Sequence, residues 1–113
     1  MTIVRDHIPL ADIAALAKAQ FGDLVKAVVD VERGVMAIGG ELHSDGEALL
    51  LEDGSSQRDL WGINLYPEIV GDDWVEFDSM INIRPSQGNR SRSVDAAEMR
   101  RSIVVIVNRL IER

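Results

Sequence analysis

Apolar and polar side chains alternate in steps of two between Trp74 and Arg84. The apolar positions are Val75, Phe77, Ile81 and Ile83, and the polar positions are Glu76, Asp78, Asn82 and Arg84. This period places successive side chains on opposite faces of a strand. Ser79 interrupts the apolar positions and indicates a bulge or a turn. Because Pro85 has no N–H for a sheet hydrogen bond, the pattern predicts a strand that ends at Arg84.

The rest of the chain contains four further strand patterns and two clear helical ones. Apolar, largely β-branched runs predict strands at residues 3–4, 24–31, 35–38 and 60–66. Apolar side chains at helical spacing predict one helix that opens near Pro9 and ends at Gly22. A second helix is predicted to follow a cap at Ser93 or Asp95 and to run to the end of the chain.

Residues 44–54 carry signals for two different structures. Ser44 followed by Glu47 matches a capping box, in which side chains bond the free N–H groups at a helix start, and Gly54 suits a helix end. The segment therefore predicts a short helix over residues 45–53. Its three consecutive leucines have no clear helical period, so a strand over residues 48–52 is the alternative.

The predicted elements follow the order (β)αββαββα. Hairpin-type connections favour antiparallel pairing, so we expect an α+β fold with an antiparallel sheet of about four to five strands. About three helices are expected to pack mainly on one face of that sheet. A chain of 113 residues is long enough for one core and too short for two, which predicts a single domain over residues 1–113.

Composition narrows the class of protein. Hydrophobic residues make up 46% of the chain and charged residues 27%, as in ordinary folded globular proteins. The chain has no cysteine, which excludes disulfides, thiolate catalysis and cysteine-bound zinc. No apolar run is long enough to span a bilayer. We therefore expect a cytoplasmic protein without a membrane segment, and no motif in the chain predicts a cofactor.

Charge divides the chain at Arg84. From there onward the chain has seven arginines and three acidic residues, a net charge of +4, whereas the preceding part has five basic and sixteen acidic residues, a net charge of −11; together they give −7. An acidic body repels nucleic acid and anionic lipid, so neither is an expected partner. The basic end favours a small anion or an acidic protein surface as partner. Cations on the exposed face and at the C-terminus of a helix are the alternative explanation.

The loop after the predicted strand is the candidate binding site. Its donors and cations are Arg84, Ser86, Gln87, Asn89, Arg90 and Arg92. Guanidinium groups present a fork that fits phosphate or carboxylate, and the following helix N-terminus also favours an anion. The loop has one glycine and lacks the Gly-Lys-Ser/Thr sequence of nucleotide-binding loops. A polar loop whose arginines pair with the acidic body is the alternative.

Two carboxylates on the polar side of the predicted strand are candidates for catalysis. Glu76 or Asp78 would act as the general base of a small hydrolase. That role requires a cleft over this face of the sheet, to which Asn64 and Tyr66 of the neighbouring strand would contribute. A polar outer face on a half-exposed antiparallel sheet accounts for the same residues without any catalytic role.

A weaker pattern concerns metal binding. Glu41, His43, Asp45 and Glu47 combine one imidazole with three carboxylates, which are ligands for divalent ions. The first three share one side only if the segment is extended, whereas the second half is predicted to cap a helix. Solvated acids beside a helix start explain this pattern better, so no metal is predicted.

The C-terminal helix has a wide apolar stripe. Met99, Ile103, Ile106, Val107 and Leu110 define it, and Val104, Val105 and Ile111 broaden it. A stripe of this width indicates a helix that lies well down on the sheet or also contacts a second chain. A homo-oligomer through this helix, in the simplest case a purely structural homodimer, is therefore a third hypothesis for the protein.

Three segments together resemble a small prokaryotic protein family of unknown function: KAVVDVERGVMAIGGELH, LLLEDGSSQRDLWGINLYPE and WVEFDSMINIRPSQGNRSR. The resemblance spans nearly the whole chain and is most specific in the last segment. It implies a compact single-domain cytoplasmic protein. Since the family has no known activity, the resemblance assigns no catalytic role. The best hypothesis from the sequence is a small ligand-binding or partner-binding module.

Overall fold

The computed structural model describes residues 1–113, and its centre is a five-stranded antiparallel sheet. The strands in chain order are β1 (Thr2–Val4), β2 (Ile8–Pro9), β3 (Val25–Asp30), β4 (Val35–Ile38), β5 (Leu60–Leu65), β6 (Val75–Glu76) and β7 (Ile111–Glu112). The order across the sheet is β1-β4-β3-β5-β6. The remaining two strands, β2 and β7, pair in parallel and join the two ends of the chain.

Three helices accompany the sheet: α1 (Leu10–Ala19), α2 (His43–Glu52) and α3 (Ala97–Leu110). The predicted α+β fold and its order of elements are confirmed, and the segment with two alternatives is a helix. The β3–β4 hairpin turns at Gly34, whose φ of +67° is a conformation that side chains other than glycine rarely adopt. Such short connections make neighbouring strands antiparallel.

One face of the sheet is covered by α1 and α3. Alternate residues of β3, including Val25 and Val29, point to this face and pack with Ile13 of α1 and with Ile103 and Leu110 of α3, all fully buried. The predicted apolar stripe of the last helix is therefore confirmed as a core face. Burial of a side chain of this size contributes about 1.5–3 kcal/mol, so this face holds most of the hydrophobic stabilisation.

The opposite face is covered at one end by α2. Val28 of β3 and Ala37 of β4 form a smaller apolar cluster with Leu50 of α2. Gly46 of α2 lies so close that a Cβ there would sit 3.0 Å from a methyl group of Val28. Two helices thus share one face, as predicted, and the third lies on the other face because its small residue permits close approach.

The predicted helix caps are wrong in detail. The α2 helix begins two residues before the predicted start, and its N-terminus is capped by the carboxylate of Asp45, which accepts from the N–H of Leu42 at 3.1 Å. The α3 helix begins after Ala96, and neither Ser93 nor Asp95 caps it. Asp95 is used by the preceding loop instead. Capping patterns are short and can match several positions along the sequence. They therefore predicted where the helices lie more accurately than the residue at which each helix begins.

The prediction of a strand that ends at Arg84 is wrong. The strand β6 ends at Glu76, and a 3₁₀ turn over Met80–Asn82 follows. Ser79 begins this turn, and its hydroxyl accepts from the N–H of Ile81 at 3.3 Å. The alternation after Ser79 therefore does not belong to a sheet. Residues 79–82 instead cross the α2 face of the sheet beside β5.

Candidate functional site

An asparagine side chain replaces the missing strand beside β5. The amide of Asn82 accepts from the N–H of Gly62 at 2.8 Å and donates to its carbonyl at 2.9 Å. It also donates to the carbonyl of Arg92 at 3.0 Å. These bonds satisfy backbone groups that would otherwise be buried without partners. The turn that contains Asn82 is thereby held against the middle of the sheet.

Close packing at Gly62 fixes the same turn. A Cβ at this position would lie 2.5 Å from both Cβ and Oγ of Ser79, which is closer than such atoms ever approach. Gly62 therefore lets the chain at Ser79 cross directly above β5. The N–H of Ser79 in turn donates to the carbonyl of Arg92 at 3.0 Å, so the turn and the loop that follows are joined.

The loop predicted to bind an anion is organised around Asn89. The side-chain amide of Asn89 donates to the carbonyls of Asn82 at 2.8 Å and Ser93 at 2.7 Å, and its oxygen accepts from the N–H of Asp95 at 2.8 Å. The side chain is 4% exposed. Asn89 therefore supports the loop from inside, and its predicted contact with a ligand would require these bonds to break.

The carboxylate of Asp95 accepts hydrogen bonds from donors of this loop. Asp95 accepts from the hydroxyl of Ser91 at 2.6 Å and from the N–H of Arg90 at 3.2 Å. The hydroxyl of Ser91 contributes most to lowering the pKa of Asp95, and the N–H groups of the loop and Arg100 contribute less. Asp95 thus takes the place that an external anion was predicted to take at this point.

The guanidinium of Arg84 also makes its contacts within the chain itself. Its guanidinium donates to the carbonyls of Gln57 and Leu60, the latter at 2.6 Å, and lies 4.2 Å from the ring centre of Trp61. Burial lowers the pKa of Arg84. A guanidinium that is stacked on an indole and bonded to carbonyls is held by the chain and has little capacity left for an anion.

The side chains of the remaining predicted loop residues point in different directions. Gln87 donates to the carbonyl of Arg58 at 3.0 Å, and the side chains of Ser86 and Arg90 are exposed without a hydrogen bond inside the chain. Arg92 points to the other side of the loop, where its Nε donates to Asp78 at 2.7 Å. The predicted cluster of guanidinium groups is therefore divided between two sides of the loop.

A polar cavity of about 170 Å³ lies where the 3₁₀ turn meets the N-terminus of α2. We call it the α2 cavity. Its polar residues are Lys26, His43, Ser44, Ser79 and Arg92, and its apolar residues are Leu42, Met80 and Ile81. Lys26 belongs to β3, His43 and Ser44 are the first two residues of α2, and the other polar side chains come from the turn and the loop. Four segments of the chain thus meet here.

The sheet register explains why Lys26 faces this cavity. Lys26 is the cross-strand neighbour of Asn64, and Asn64 is the neighbour of Glu76, so all three point to the α2 face. Towards the other end of the strands the same face is apolar and covered by α2. Of the polar strand face predicted at Glu76, Asp78, Asn82 and Arg84, only Glu76 lies on a strand, where Asn64 is its neighbour as expected. The other three residues belong to the turn and the loop that follow β6.

Two cations of the α2 cavity remain available to a ligand. Lys26 forms no ion pair, and its ammonium group lies 5.4 Å from the ring centre of Phe21. Arg92 uses its Nε on Asp78, while its two terminal amino groups make no bond within the chain. The N–H groups of His43 and Ser44 belong to the first turn of a helix, where backbone donors have no partner inside the helix. Donors and positive charge therefore converge on one small space.

His43 is buried at the floor of this cavity. It is 8% exposed, and its Nε2 donates to the carbonyl of Ile63 at 2.8 Å, because a carbonyl can only accept. Its Nδ1 consequently carries the lone pair. Burial lowers the pKa of His43, and Lys26 adds to this effect, so the imidazole is neutral at pH 7.

The carboxylates predicted as general bases lie beside the cavity. Glu76 accepts from the amide of Asn64 at 2.8 Å and from the hydroxyl of Tyr66 at 3.0 Å, and burial together with Glu76 raises the pKa of Tyr66. Asp78 is paired with Arg92. The oxygen of the Asn64 amide is buried without a partner. Glu76 and Asp78 therefore orient their neighbours and are not free to accept a proton from a ligand without giving up these bonds.

The residues of the predicted metal pattern do not form a metal site. Asp45 caps α2, His43 bonds to a carbonyl, and Glu41 is exposed. No group of three histidine or acidic side chains anywhere in residues 1–113 is placed to hold a metal ion. Of these candidates only His43 enters the α2 cavity.

Sequence reasoning missed Lys26, Ser44 and Ser79 as site residues. One signal was present: Lys26 is the single basic side chain inside the apolar run LVKAVVDV, where a buried strand residue is expected. Ser44 was interpreted as a helix cap and Ser79 as an interruption of a strand. Their convergence depends on how the turn after β6 folds back, which no local pattern encodes.

The fold and the site together define a class: a small α+β protein with one antiparallel sheet, helices on both faces and a polar cavity at one helix N-terminus. No helix is long and apolar enough to cross a membrane. The chain belongs to the family described as "Protein of unknown function (DUF5674)", whose model matches residues 2–110. Comparison with curated proteins and with solved structures gave no match.

Proposed function

We propose that the protein binds a small anionic ligand in the α2 cavity. The observation that carries this proposal is the convergence of Lys26 and Arg92 with the first residues of α2 around one cavity. A helix N-terminus favours a negative charge, and a guanidinium with free amino groups binds carboxylate or phosphate in a fork. The hydroxyls of Ser44 and Ser79 supply further donors.

The size of the cavity limits the bound group. A space of about 170 Å³ is smaller than the ~300–1,000 Å³ of pockets that enclose drug-sized ligands. A phosphate or carboxylate group fits such a space. Neutral His43 at the floor adds an acceptor at Nδ1, which suits a ligand that also carries a hydroxyl or a protonated oxygen.

The proposed ligand is an anion, as predicted from the sequence, but its main contacts lie in the α2 cavity and not in the loop. Arg92 belongs to both the predicted loop site and the α2 cavity. Arg90 remains the free guanidinium of the loop, so the loop site stays a separate prediction that the same experiment tests. Binding is favoured over hydrolysis because Glu76 and Asp78 are both engaged by neighbouring side chains.

Calorimetric titration with inorganic phosphate and with acetate at low ionic strength tests the proposal. Lys26→Met removes one charge and keeps most of the apolar stem, and we expect it to weaken binding about tenfold or more, since a hydrogen bond to a charged group contributes ~1.5–3 kcal/mol. Arg90→Met is the matched control and should leave binding unchanged. Loss of binding in Arg90→Met with retention in Lys26→Met would instead assign the anion to the loop.

Self-association is a second candidate function, and the α3 surface favours it. Val105 of α3 is 66% exposed beside an open groove of about 600 Å³ between α3 and β6. The apolar residues of the groove are Val75, Phe77, Ala97, Val104 and Val105, with Asp72 and Asp73 on one side and Arg100 and Arg101 on the other. Opposite charges on the two sides suit a two-fold contact between identical copies.

A further inference from the structure

Two exposed apolar side chains border the mouth of the α2 cavity. Leu42 is 60% exposed and precedes α2, and Met80 is 65% exposed and begins the 3₁₀ turn on the other side. Neither side chain belongs to the two apolar clusters of the core. The polar floor of the cavity is thus paired with an apolar rim.

Local structure does not explain this rim. Leu42 occupies the residue before the first turn of α2, where Ser, Thr, Asp or Asn would stabilise the helix by about 1 kcal/mol. A leucine there forgoes this stabilisation and also exposes apolar surface to water. Met80 is unbranched and polarizable, a side chain that adapts to varied apolar surfaces. Exposed apolar surface around a polar depression is typical of a ligand-binding site.

We infer that the ligand of the α2 cavity is an organic anion with an apolar substituent of a few carbons. Its acidic group, a carboxylate or a phosphate monoester, lies on Lys26 and Arg92, and its apolar part leaves the cavity between Leu42 and Met80. This inference rests on the proposed anion site and specifies the class of ligand. An inorganic ion would leave the rim exposed, whereas an alkyl or aryl group covers it.

The position of His43 agrees with this class. Among the residues that line the cavity, His43 is 8% exposed, whereas Leu42 and Met80 are 60% and 65% exposed. A bound head group therefore has its substituent directed outward past the two apolar side chains.

Titration with a series of straight-chain carboxylates, from acetate to hexanoate, tests the inference by calorimetry and by amide chemical shifts. Each methylene that becomes covered by the rim is expected to raise the affinity about fourfold, as follows from ~0.8 kcal/mol per buried methylene. The matching alkyl phosphates distinguish the two head groups. Hexylamine, with the same chain and the opposite charge, should not bind.

The variant Leu42→Ser/Met80→Gln removes the apolar rim and keeps the polar floor. It should bind acetate as the unchanged protein does and lose the gain from acetate to hexanoate. Because serine is a favourable residue before a helix, Leu42→Ser is not expected to unfold α2. Val70→Ser, at a residue that is 91% exposed and does not line the cavity, is the control and should keep the full gain.

The outcomes separate the two proposals. If no carboxylate or phosphate binds at all, the anion site itself is wrong, and the inference about its ligand falls with it. If acetate and hexanoate bind equally, the anion site stands and the apolar substituent is refuted. A gain with chain length that survives in Leu42→Ser/Met80→Gln also overturns the inference, because the alkyl chain would then lie elsewhere.

Discussion

Two asparagine side chains in this protein form hydrogen bonds with the backbone of other segments and hold those segments together. The amide of Asn82 pairs with both backbone groups of Gly62, and the amide of Asn89 bonds to the backbone of Asn82, Ser93 and Asp95. From the sequence, Asn82 was predicted on the polar side of a strand and Asn89 among the donors of an anion-binding loop. Their roles could not be predicted, because a side-chain amide that imitates a neighbouring strand depends on a contact between distant residues.

Replacement of Asn82 by alanine should destabilise the protein by about 3 kcal/mol, since it leaves the N–H and the carbonyl of Gly62 without their partners at ~1–3 kcal/mol each. Urea unfolding followed by tryptophan fluorescence measures the change. Asn108→Ala, at an exposed position of α3, is the control and should alter the free energy of unfolding by less than about 0.5 kcal/mol. Equal effects of the two substitutions would contradict the role given to Asn82.

His43 predicts how stability depends on pH. Its folded-state pKa is lowered by burial, so between that value and the unfolded value of about 6.5 the unfolded chain binds more protons than the folded one. The free energy of unfolding should therefore fall as the pH drops below about 6.5 and level off below the folded pKa. The carboxylates of Asp53 and Asp95, whose pKa values are also lowered, contribute only in a lower window, below about pH 4.

Urea unfolding at several pH values between 5 and 7 checks this dependence. His43→Gln keeps an N–H for the carbonyl of Ile63 and removes the titrating group, so its stability should change less over this range. The His7→Gln variant, which keeps His43, should behave as the unchanged protein does. A slope that persists in His43→Gln would show that another group is responsible.

At the scale of elements, local patterns were sufficient for most of the fold. Apolar periodicity predicted α1, α3, the β3–β4 hairpin and β5, since each buries one face in the core. Apolar periodicity failed after β6. Val75 and Ile81 both fall on the apolar positions of the period-two pattern, yet they belong to different elements. Ile81 packs against the α2 cluster from a 3₁₀ turn, so its burial has another cause than strand alternation.

Gly62 offers the sharpest test of how this turn is placed. Gly62→Ala puts a Cβ within 2.5 Å of Ser79, and we expect a loss of about 1–3 kcal/mol in unfolding free energy, the range for overpacking a tight interior. Ser79→Gly removes both atoms in conflict. The double variant should therefore be more stable than the sum of the single effects predicts, as a double-mutant cycle measures. Strictly additive effects would mean that the two residues do not meet.

Across the whole molecule, the part after Arg84 does carry a net positive charge, but its cations do not form a single site. The net charge of +4 after Arg84 belongs to groups with separate roles: Arg84 bonds to carbonyls, Arg92 pairs with Asp78, and Arg109 donates to the carbonyl of Gly34 at 2.7 Å. Summed charge along a chain predicts neither the direction of a side chain nor its partner. The α2 cavity, which combines Arg92 with Lys26 from the acidic part, could therefore not be predicted from that sum.

The α3 groove gives a prediction about self-association. In a two-fold dimer Arg101 of one copy lies near Asp72 and Asp73 of the other, so Arg101→Glu and Asp72→Lys/Asp73→Lys should each dissociate the dimer. An equimolar mixture of the two variants should restore it, because both contacts then join opposite charges. Light scattering across the micromolar range measures the mass. A monomer at every concentration in the unchanged protein would remove this candidate function.

Amide chemical shifts during a titration with phosphate show whether an anion binds at the start of α2. We expect the largest shifts at the N–H groups of His43 and Ser44, smaller shifts near Lys26, and none at Arg90. Since charge–charge contacts weaken with salt, the affinity should also fall as ionic strength rises. Shifts confined to residues 86–91, or no saturable shift anywhere, would contradict the account.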